Sequence, residues 1–268
     1  MTSIAALLIG LVKRVKPLPD LLLWHTKSVK SQWLIALNII AVISGGLALD
    51  ARLGWTGQHL ATLWTLMVWA ALYRIGGTDE RRVLILCTVI AGLGELVLSL
   101  AWGLYDYQFH NVPLFVPPGH ALLMTLGLLA ARRLPMAGAW LITTAASAWA
   151  VYAWLAGFDR FGVALGLVFI FCMAAGPAKR LYAAMFVLAL MMELYGTALG
   201  NWVWAAKTPG LDLTAANPPF SAGAFYCLLD LLVLAALRLW PDGHHKTASA
   251  DIIKAKKNTA KSPVDIGS

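Results

Sequence analysis

Apolar residues run along this chain in long blocks separated by short polar breaks, and the blocks define the expected elements. A helix needs roughly 17–25 apolar residues to cross a bilayer core of about 30 Å. Eight blocks qualify, at about 32–49, 57–74, 83–104, 114–131, 134–156, 161–178, 181–204 and 219–240. Pro117-Pro118-Gly119 interrupts the start of the fourth. The expected fold is all-α, a polytopic membrane helix bundle of about eight transmembrane helices spanning 32–240. Residues 1–31 lie before it. Their apolar run Ser3–Val12 precedes Lys13, Arg14 and Lys16, the reverse of signal-peptide order, and Pro17 and Pro19 follow. They read as a cytoplasmic, interfacial segment. Residues 241–268 carry Lys254, Lys256, Lys257 and Lys261 with few large apolar side chains, and read as a disordered basic cytoplasmic tail.

Charge placement sharpens this picture. Hydrophobic residues make up 60% of the chain and charged ones only 13%, against about 25% charged in ordinary soluble domains. If both termini are cytoplasmic, every Lys and Arg except Arg52, Arg160 and Lys207 falls on the inner side. That bias follows the positive-inside rule, and an odd number of spans spoils it. The net charge of +8 therefore reports topology and contact with anionic membrane lipid rather than nucleic-acid binding. Short loops and compact spans point to an integral protein of a bacterial cytoplasmic (inner) membrane. Cys87, Cys172 and Cys227 fall in apolar spans without CxxC spacing and read as small buried hydrophobes.

The blocks also repeat. Arg82 is followed thirteen positions later by Glu95, and Arg180 thirteen positions later by Glu193. Each glutamate leads through a glycine (Gly103, Gly200) to a spaced aromatic pair, Tyr105/Tyr107 and Trp202/Trp204. Each pair leads to proline turns, Val112-Pro113-Leu114 with Pro117-Pro118 and Pro209-Gly210-Leu211 with Pro218-Pro219. The glutamates fall four spans apart, on helices running the same way. This predicts a 4+4 parallel internal repeat, 32–131 and 134–240, about an axis near the membrane normal. A rise of 1.5 Å per residue puts both carboxyls about 20 Å from the cytoplasmic arginines, in the outer half of the membrane. The aromatic pairs and turns come next, towards the exterior mouth.

A carboxyl in hydrocarbon is expensive and calls for a reason. Glu95 and Glu193 read either as proton donors or cation ligands, or as packing residues bonded to neighbouring helices through groups such as Asn38 or Ser99. Their matched depth favours function. Asp230 falls near the midplane of the last block, without a twin in the first repeat, and is a further candidate acid. His120, after Pro117-Pro118-Gly119, is either a proton shuttle near Glu95 or a polar cap. Asn217 reads best as a cap on the last helix, beside a substrate-binding role. Tyr105, Tyr107, Trp202 and Trp204 read either as an interfacial aromatic belt or as a wall that stabilises a cation. The chain has no HExxH, Walker loop, CxxC or GxSxG, and His244-His245 is too lone a pair for a metal site. The expectation is chemistry with no metal and no cofactor.

The run Glu-x6-Gly-x-Trp-x-Trp from Glu193 to Trp204, with Pro209-Gly210-Leu211 and Pro218-Pro219 after it, resembles a motif of membrane carotenoid-biosynthesis proteins. In the carotenoid hydratases and small membrane lycopene cyclases an acidic residue precedes a Gly-x-aromatic-x-aromatic run and a proline turn. The first copy, Glu95 through Tyr105-Asp106-Tyr107 to Val112-Pro113-Leu114, is nearer the hydratase version. The resemblance covers about seventy residues in two patches. It implies that Glu95 and Glu193 take the family's acidic positions and protonate an isoprenoid alkene, with water capture or proton loss to follow. The cyclases have a paired glutamate after the proline turn, where this chain has Gly119-His120 and Ser221-Ala222; that departure argues against cyclisation.

Three functions follow as expectations. The first is a membrane-embedded, cofactor-free enzyme that protonates an isoprenoid-like lipid alkene (hydration, isomerisation or cyclisation), with Glu95 or Glu193 as acid and His120 or Asp230 assisting. The second is a proton- or cation-coupled carrier or binding protein for a small apolar molecule. The third is an accessory subunit whose glutamates only bond helices.

Overall fold

The computed structural model describes residues 28–240. The chain divides into a unit Met1–Leu237 and a second unit Arg238–Ser268, and the candidate site lies wholly within the first. The expectations for an interfacial N-terminus, a disordered tail and the His244-His245 pair fall mostly or entirely outside the described residues.

The described chain is predominantly helical. Helix α1 (Val29–Ile75) is followed by α2 (Thr78–Glu95), which continues as a π-helical segment Leu96–Ala101. Strand β1 (Tyr105–Tyr107) and helix α3 (Val116–Ala131) come next. Then follow α4 (Met136–Ala156), α5 (Arg160–Ala175), α6 (Lys179–Leu199), strand β2 (Trp202–Trp204) and α7 (Gly223–Leu239). Four helical stretches are long and apolar enough to cross a membrane: Val29–Ile75, Thr78–Ala101, Met136–Ala156 and Lys179–Leu199. Val116–Ala131 and Arg160–Ala175 are shorter apolar helices. The chain is thus an integral membrane protein by the length and composition of its helices. Its outer surface agrees, with Trp33, Leu34, Leu63, Leu141 and Leu167 all exposed, a pattern water tolerates poorly over a large area.

Several predicted boundaries move. The first two apolar blocks form one helical run of 47 residues. It turns at Gly54, whose φ of 59° and ψ of −137° lie outside helical space. Only glycine adopts such angles cheaply, so the break falls there. The third and seventh blocks stop at Ala101 and Leu199 rather than at 104 and 204. Just beyond, Gly103 (φ 73°) and Gly200 (φ 82°) adopt the left-handed conformation and redirect the chain. The last helix starts at Gly223, not at 219.

Helix α3 is the pivot of the bundle. It packs against α1, α2 and α6 and is buried on nearly every side, from Ala121 through Leu129 without interruption. A helix apolar all round belongs at the centre of a bundle. Gly127 lets α6 approach, because a Cβ there runs into the Met185 side chain. Helix α6 in turn packs on α4 and α5, so the α3–α6 contact joins the two halves of the chain.

Strands β1 and β2 then meet. They pair antiparallel with Tyr105 opposite Trp204, Asp106 opposite Val203 and Tyr107 opposite Trp202. The two aromatic segments thus pair with each other, with Asp106 opposite Val203 at the centre.

Gly103→Ala and Gly200→Ala should each lower the thermal midpoint in detergent, since an L-residue in the left-handed region costs about 1–2 kcal/mol. Gly94→Ala, a helical position whose Cβ meets nothing within 4 Å, should leave the midpoint unchanged or raise it. Equal behaviour of all three variants in a thermal scan would contradict this account of the turns.

Candidate functional site

The site begins with a spacing mismatch. Gly103 stands eight positions after Glu95, whereas Gly200 stands seven after Glu193. One residue on a helix rotates everything after it by about 100°, enough to aim the first aromatic pair away from its glutamate. The π-helical segment Leu96–Ala101 absorbs the extra residue. Both arms therefore reach their glycine turns in equivalent positions and double back along the helices they came from.

Strand alternation does the rest. Residues 105, 107, 202 and 204 share the inner face, while Asp106 and Val203 point out. Tyr105 and Tyr107 donate their hydroxyls to Glu95 Oε2 at 2.9 and 2.8 Å. Trp202 and Trp204 donate their indole N–H groups to Glu193 Oε2 at 2.8 and 3.1 Å. Tyr226 on α7 donates to Glu193 Oε1 at 3.0 Å. Both glutamates are only 5% exposed, and such donors offset much of the cost of burying a carboxyl. Gly196 makes room for this fold-back, since a Cβ there collides with the Trp202 ring. The rings form one cluster, with Tyr105 4.8 Å from Trp204 and Tyr107 5.9 Å from Trp202, centroid to centroid. Burial, with Glu95 adding to it, pushes the Tyr105 phenol well above its ordinary pKa, which keeps it a donor.

His120 approaches from α3. Its Nε2 is 3.5 Å from Glu95 Oε1, its Nδ1 is 2.9 Å from the Val116 carbonyl, and its ring lies flat on Tyr226 at 4.9 Å. Two apolar cavities flank this group. The smaller, about 50 Å³, is walled by α1, α3 and α6 residues including Val42, Ile43 and Met192. The larger, about 370 Å³, is walled by α2 and α7 residues including Ile90, Leu93, Val97 and Leu232. Glu95, Glu193, Tyr105, His120 and Tyr226 line both. Leu93 and Val97 are 60% and 56% exposed, so the larger cavity opens sideways through the lipid-facing surface.

The structure thus brings Glu95, Glu193, His120, Tyr105, Tyr107, Trp202 and Trp204 together. It does not bring in Asp230 or Asn217. Asp230 is fully buried, lines neither cavity, and has no hydrogen-bond partner at either oxygen; its position on α7 carries it away from the glutamates. Asn217 does not cap α7, which starts six residues later. Its Oδ1 accepts from the Trp204 backbone N–H at 2.9 Å and braces β2. The glutamates bond aromatic donors rather than Asn38 or Ser99, and the four aromatics turn inward instead of forming an interfacial belt.

Three contributors escape a reading of the sequence. Tyr226 sits in an apolar helix where nothing local sets its role; one turn separates it from Asp230, which draws the eye instead. Asp50 and Asn201 fix the strand pair from outside. Asn201 donates to Asp50 Oδ2 at 2.8 Å and to the Leu47 carbonyl at 3.1 Å, and Gln108 donates to the Asp50 carbonyl at 3.1 Å. Asn201, directly between Gly200 and Trp202, is the one visible clue. In the second half Asp159 does related work, accepting from the Gly162, Ala216 and Phe220 amides and holding the turn that leads to α7.

Among the described residues no group of three or more His, Cys, Asp or Glu side chains is arranged to hold a metal. Comparison with protein-family models, with curated proteins and with solved structures gives no match.

Asp50→Ala strips Asn201 and Gln58 of an acceptor and should cost about 1–3 kcal/mol, the usual penalty for orphaned buried donors. Thermal unfolding in detergent measures it, and an unshifted midpoint would mean the network does not hold the strand pair.

Proposed function

We propose that this protein is a membrane-embedded enzyme that protonates an alkene of an isoprenoid-like lipid, leading to hydration or isomerisation. One observation carries the reading: two carboxyls, each held by aromatic O–H or N–H donors, stand on the wall of an apolar cavity open to the lipid side. A water-insoluble substrate reaches such a cavity directly from the bilayer. The polar groups inside are few and fixed, as ligand sites in general require. Fixed dipoles in a dry cavity stabilise developing charge without reorganising. The four aromatic rings add their negative faces to that stabilisation. The resemblance to carotenoid hydratases points to the same chemistry, and cyclisation is not part of the proposal.

The proposal extends to architecture and location. The turn at Gly54 divides α1 into two membrane-crossing lengths, which gives eight crossings arranged as two sets of four. The centre-on-centre pairing of β1 with β2 supports the internal repeat. Both termini then lie on the cytoplasmic side, and the membrane is the bacterial inner membrane. Carotenoid-type isoprenoids and membrane lipid are the proposed partners.

A second reading keeps the site and changes its use. The carboxyls stand between two cavities on different sides of the bundle, an arrangement that also suits a proton- or cation-coupled carrier.

With the protein reconstituted in liposomes and supplied with acyclic polyenes, Glu95→Gln and Glu193→Gln should each reduce product formation at least a hundredfold, while expression and polyene binding persist. Mass-spectrometric product analysis decides: wild-type turnover in both variants would sink the enzyme. Transport that follows an imposed pH or ion gradient, without chemical conversion, would establish the carrier instead.

A further inference from the structure

The two cavities that flank the carboxyls differ in size and in surroundings. The larger, about 370 Å³, is walled by apolar side chains such as Ile90, Leu228 and Leu232 and opens on the lipid-facing surface. The smaller is about 50 Å³. A water needs roughly 10–15 Å³ of room for its centre, so the smaller cavity takes a few waters and excludes an isoprenoid chain.

Its wall has a hydroxyl to spare. Thr65 on α1 lines the smaller cavity and is only 4% exposed. The other buried helical threonines, Thr125 and Thr143, each donate to the carbonyl four residues earlier at 2.9 Å. Thr65 makes no such bond: its hydroxyl stays open to the cavity, without a partner among the described residues. A buried hydroxyl is nearly always satisfied, by protein or by ordered water.

Glu95 Oε1 is the second free position. Oε2 takes both phenols, and His120 Nε2 stands 3.5 Å from Oε1, at the outer limit of a hydrogen bond. A water beside these two atoms bonds both. Because water donates and accepts, it does so whichever group holds the proton.

The smaller cavity also borders the polar brace. Leu47, on its wall, accepts from Asn201 through its carbonyl at 3.1 Å. One turn further on, Asp50 accepts from Asn201 and Gln58, and Asn111 donates to Gln58 Oε1 at 2.9 Å. Within this brace Asn111 Oδ1 and Asn201 Oδ1 are buried with no partner among the described residues, while Asn111 and Gln108 are half-buried. Orphaned acceptors between a surface and a cavity mark a route for water.

We infer that the smaller cavity is a water site. Thr65 and Glu95 Oε1 hold a water at the carboxyls, the brace of Asp50, Gln58, Asn111 and Asn201 admits it, and the lipid substrate enters the larger cavity. The inference rests on the proposed reaction and supplies its second reactant. One carboxyl O–H bond breaks as the alkene π pair forms a C–H bond, leaving positive charge on the adjacent carbon. The held water bonds that carbon through oxygen, and the proton it releases goes to the carboxylate just formed. Alkene and water are consumed, the acid is restored, and no other reactant is needed. Without the water, the cation loses a neighbouring proton to the same carboxylate and the product is the isomer.

Thr65→Val keeps the shape and removes the hydroxyl. In liposomes supplied with acyclic polyenes in isotopically labelled water, it should lower the ratio of labelled alcohol to isomer about tenfold, the scale of one lost hydrogen bond. Thr65→Ser should restore the wild-type ratio. Gly119→Val, on the same wall with open space at its Cβ, should lower the ratio as well, whereas Leu93→Trp at the mouth of the larger cavity should reduce both products together. A wild-type ratio in Thr65→Val, equal loss of both products in it, or no labelled alcohol from the wild type would overturn the assignment. The site is also read without turnover. A density map of the protein in lipid nanodiscs should show water within hydrogen-bond distance of Thr65 Oγ1; acyl-chain density or bare space there would remove the water site even if polyenes are converted. Water at Thr65 with no conversion by the wild type would leave the site standing and reject the reaction.

Discussion

A carboxyl group removed from water must find hydrogen-bond donors or give up its charge, and in this bundle that requirement shapes the chain around it. Each glutamate projects from a helix into apolar surroundings where the helix backbone has no free N–H to offer. The donors come instead from the short strand that follows, which a left-handed glycine turns back on its own helix. Because Tyr105 and Tyr107 serve Glu95 while Trp202 and Trp204 serve Glu193, each half satisfies its own acid. The strands then satisfy their own backbone by pairing with each other, as non-helical chain inside a membrane protein must. The strand pair is thus both the solution to the burial of two acids and, beside the α3–α6 contact, a second joint between the halves of the chain.

The π-helical segment follows from the same requirement. An extra residue between Glu95 and Gly103 would normally swing the tyrosines off their acceptor. Widening one helical turn costs some hydrogen-bond quality but restores the aim of two buried hydroxyls. The outer network of Asp50, Asn201, Gln58 and Gln108 acts on the opposite face, tying the turn of α1 at Gly54 to both arms. Acid, strand and brace are one connected polar structure inside an apolar bundle.

Matched positions do not make matched groups. Phenols donate and accept, indoles only donate, and the imidazole of His120 is available to one acid alone. These differences give the two carboxyls different surroundings on a shared apolar cavity.

The amino-acid sequence by itself determined the apolar character of the helices, the placement of basic residues, and the two acids with their aromatic and proline companions. Composition and spacing carry that information locally, because hydrophobic burial and the helix repeat depend on neighbours in the chain. What only the tertiary structure decided is which groups touch. The aromatics pointed by composition to a membrane interface, yet their glycine turns send them inward to the carboxyls. Asp230 looked like a partner for the glutamates and is closed off from them, while Tyr226, one turn earlier on the same helix, reaches Glu193. Asn217 promised a helix cap and became a brace for β2. Contacts of this kind join residues separated by up to about 150 positions, such as Asp50 and Asn201. Their geometry is set by how α3 and α6 pack and by the register of β1 on β2, which no local pattern of residues encodes.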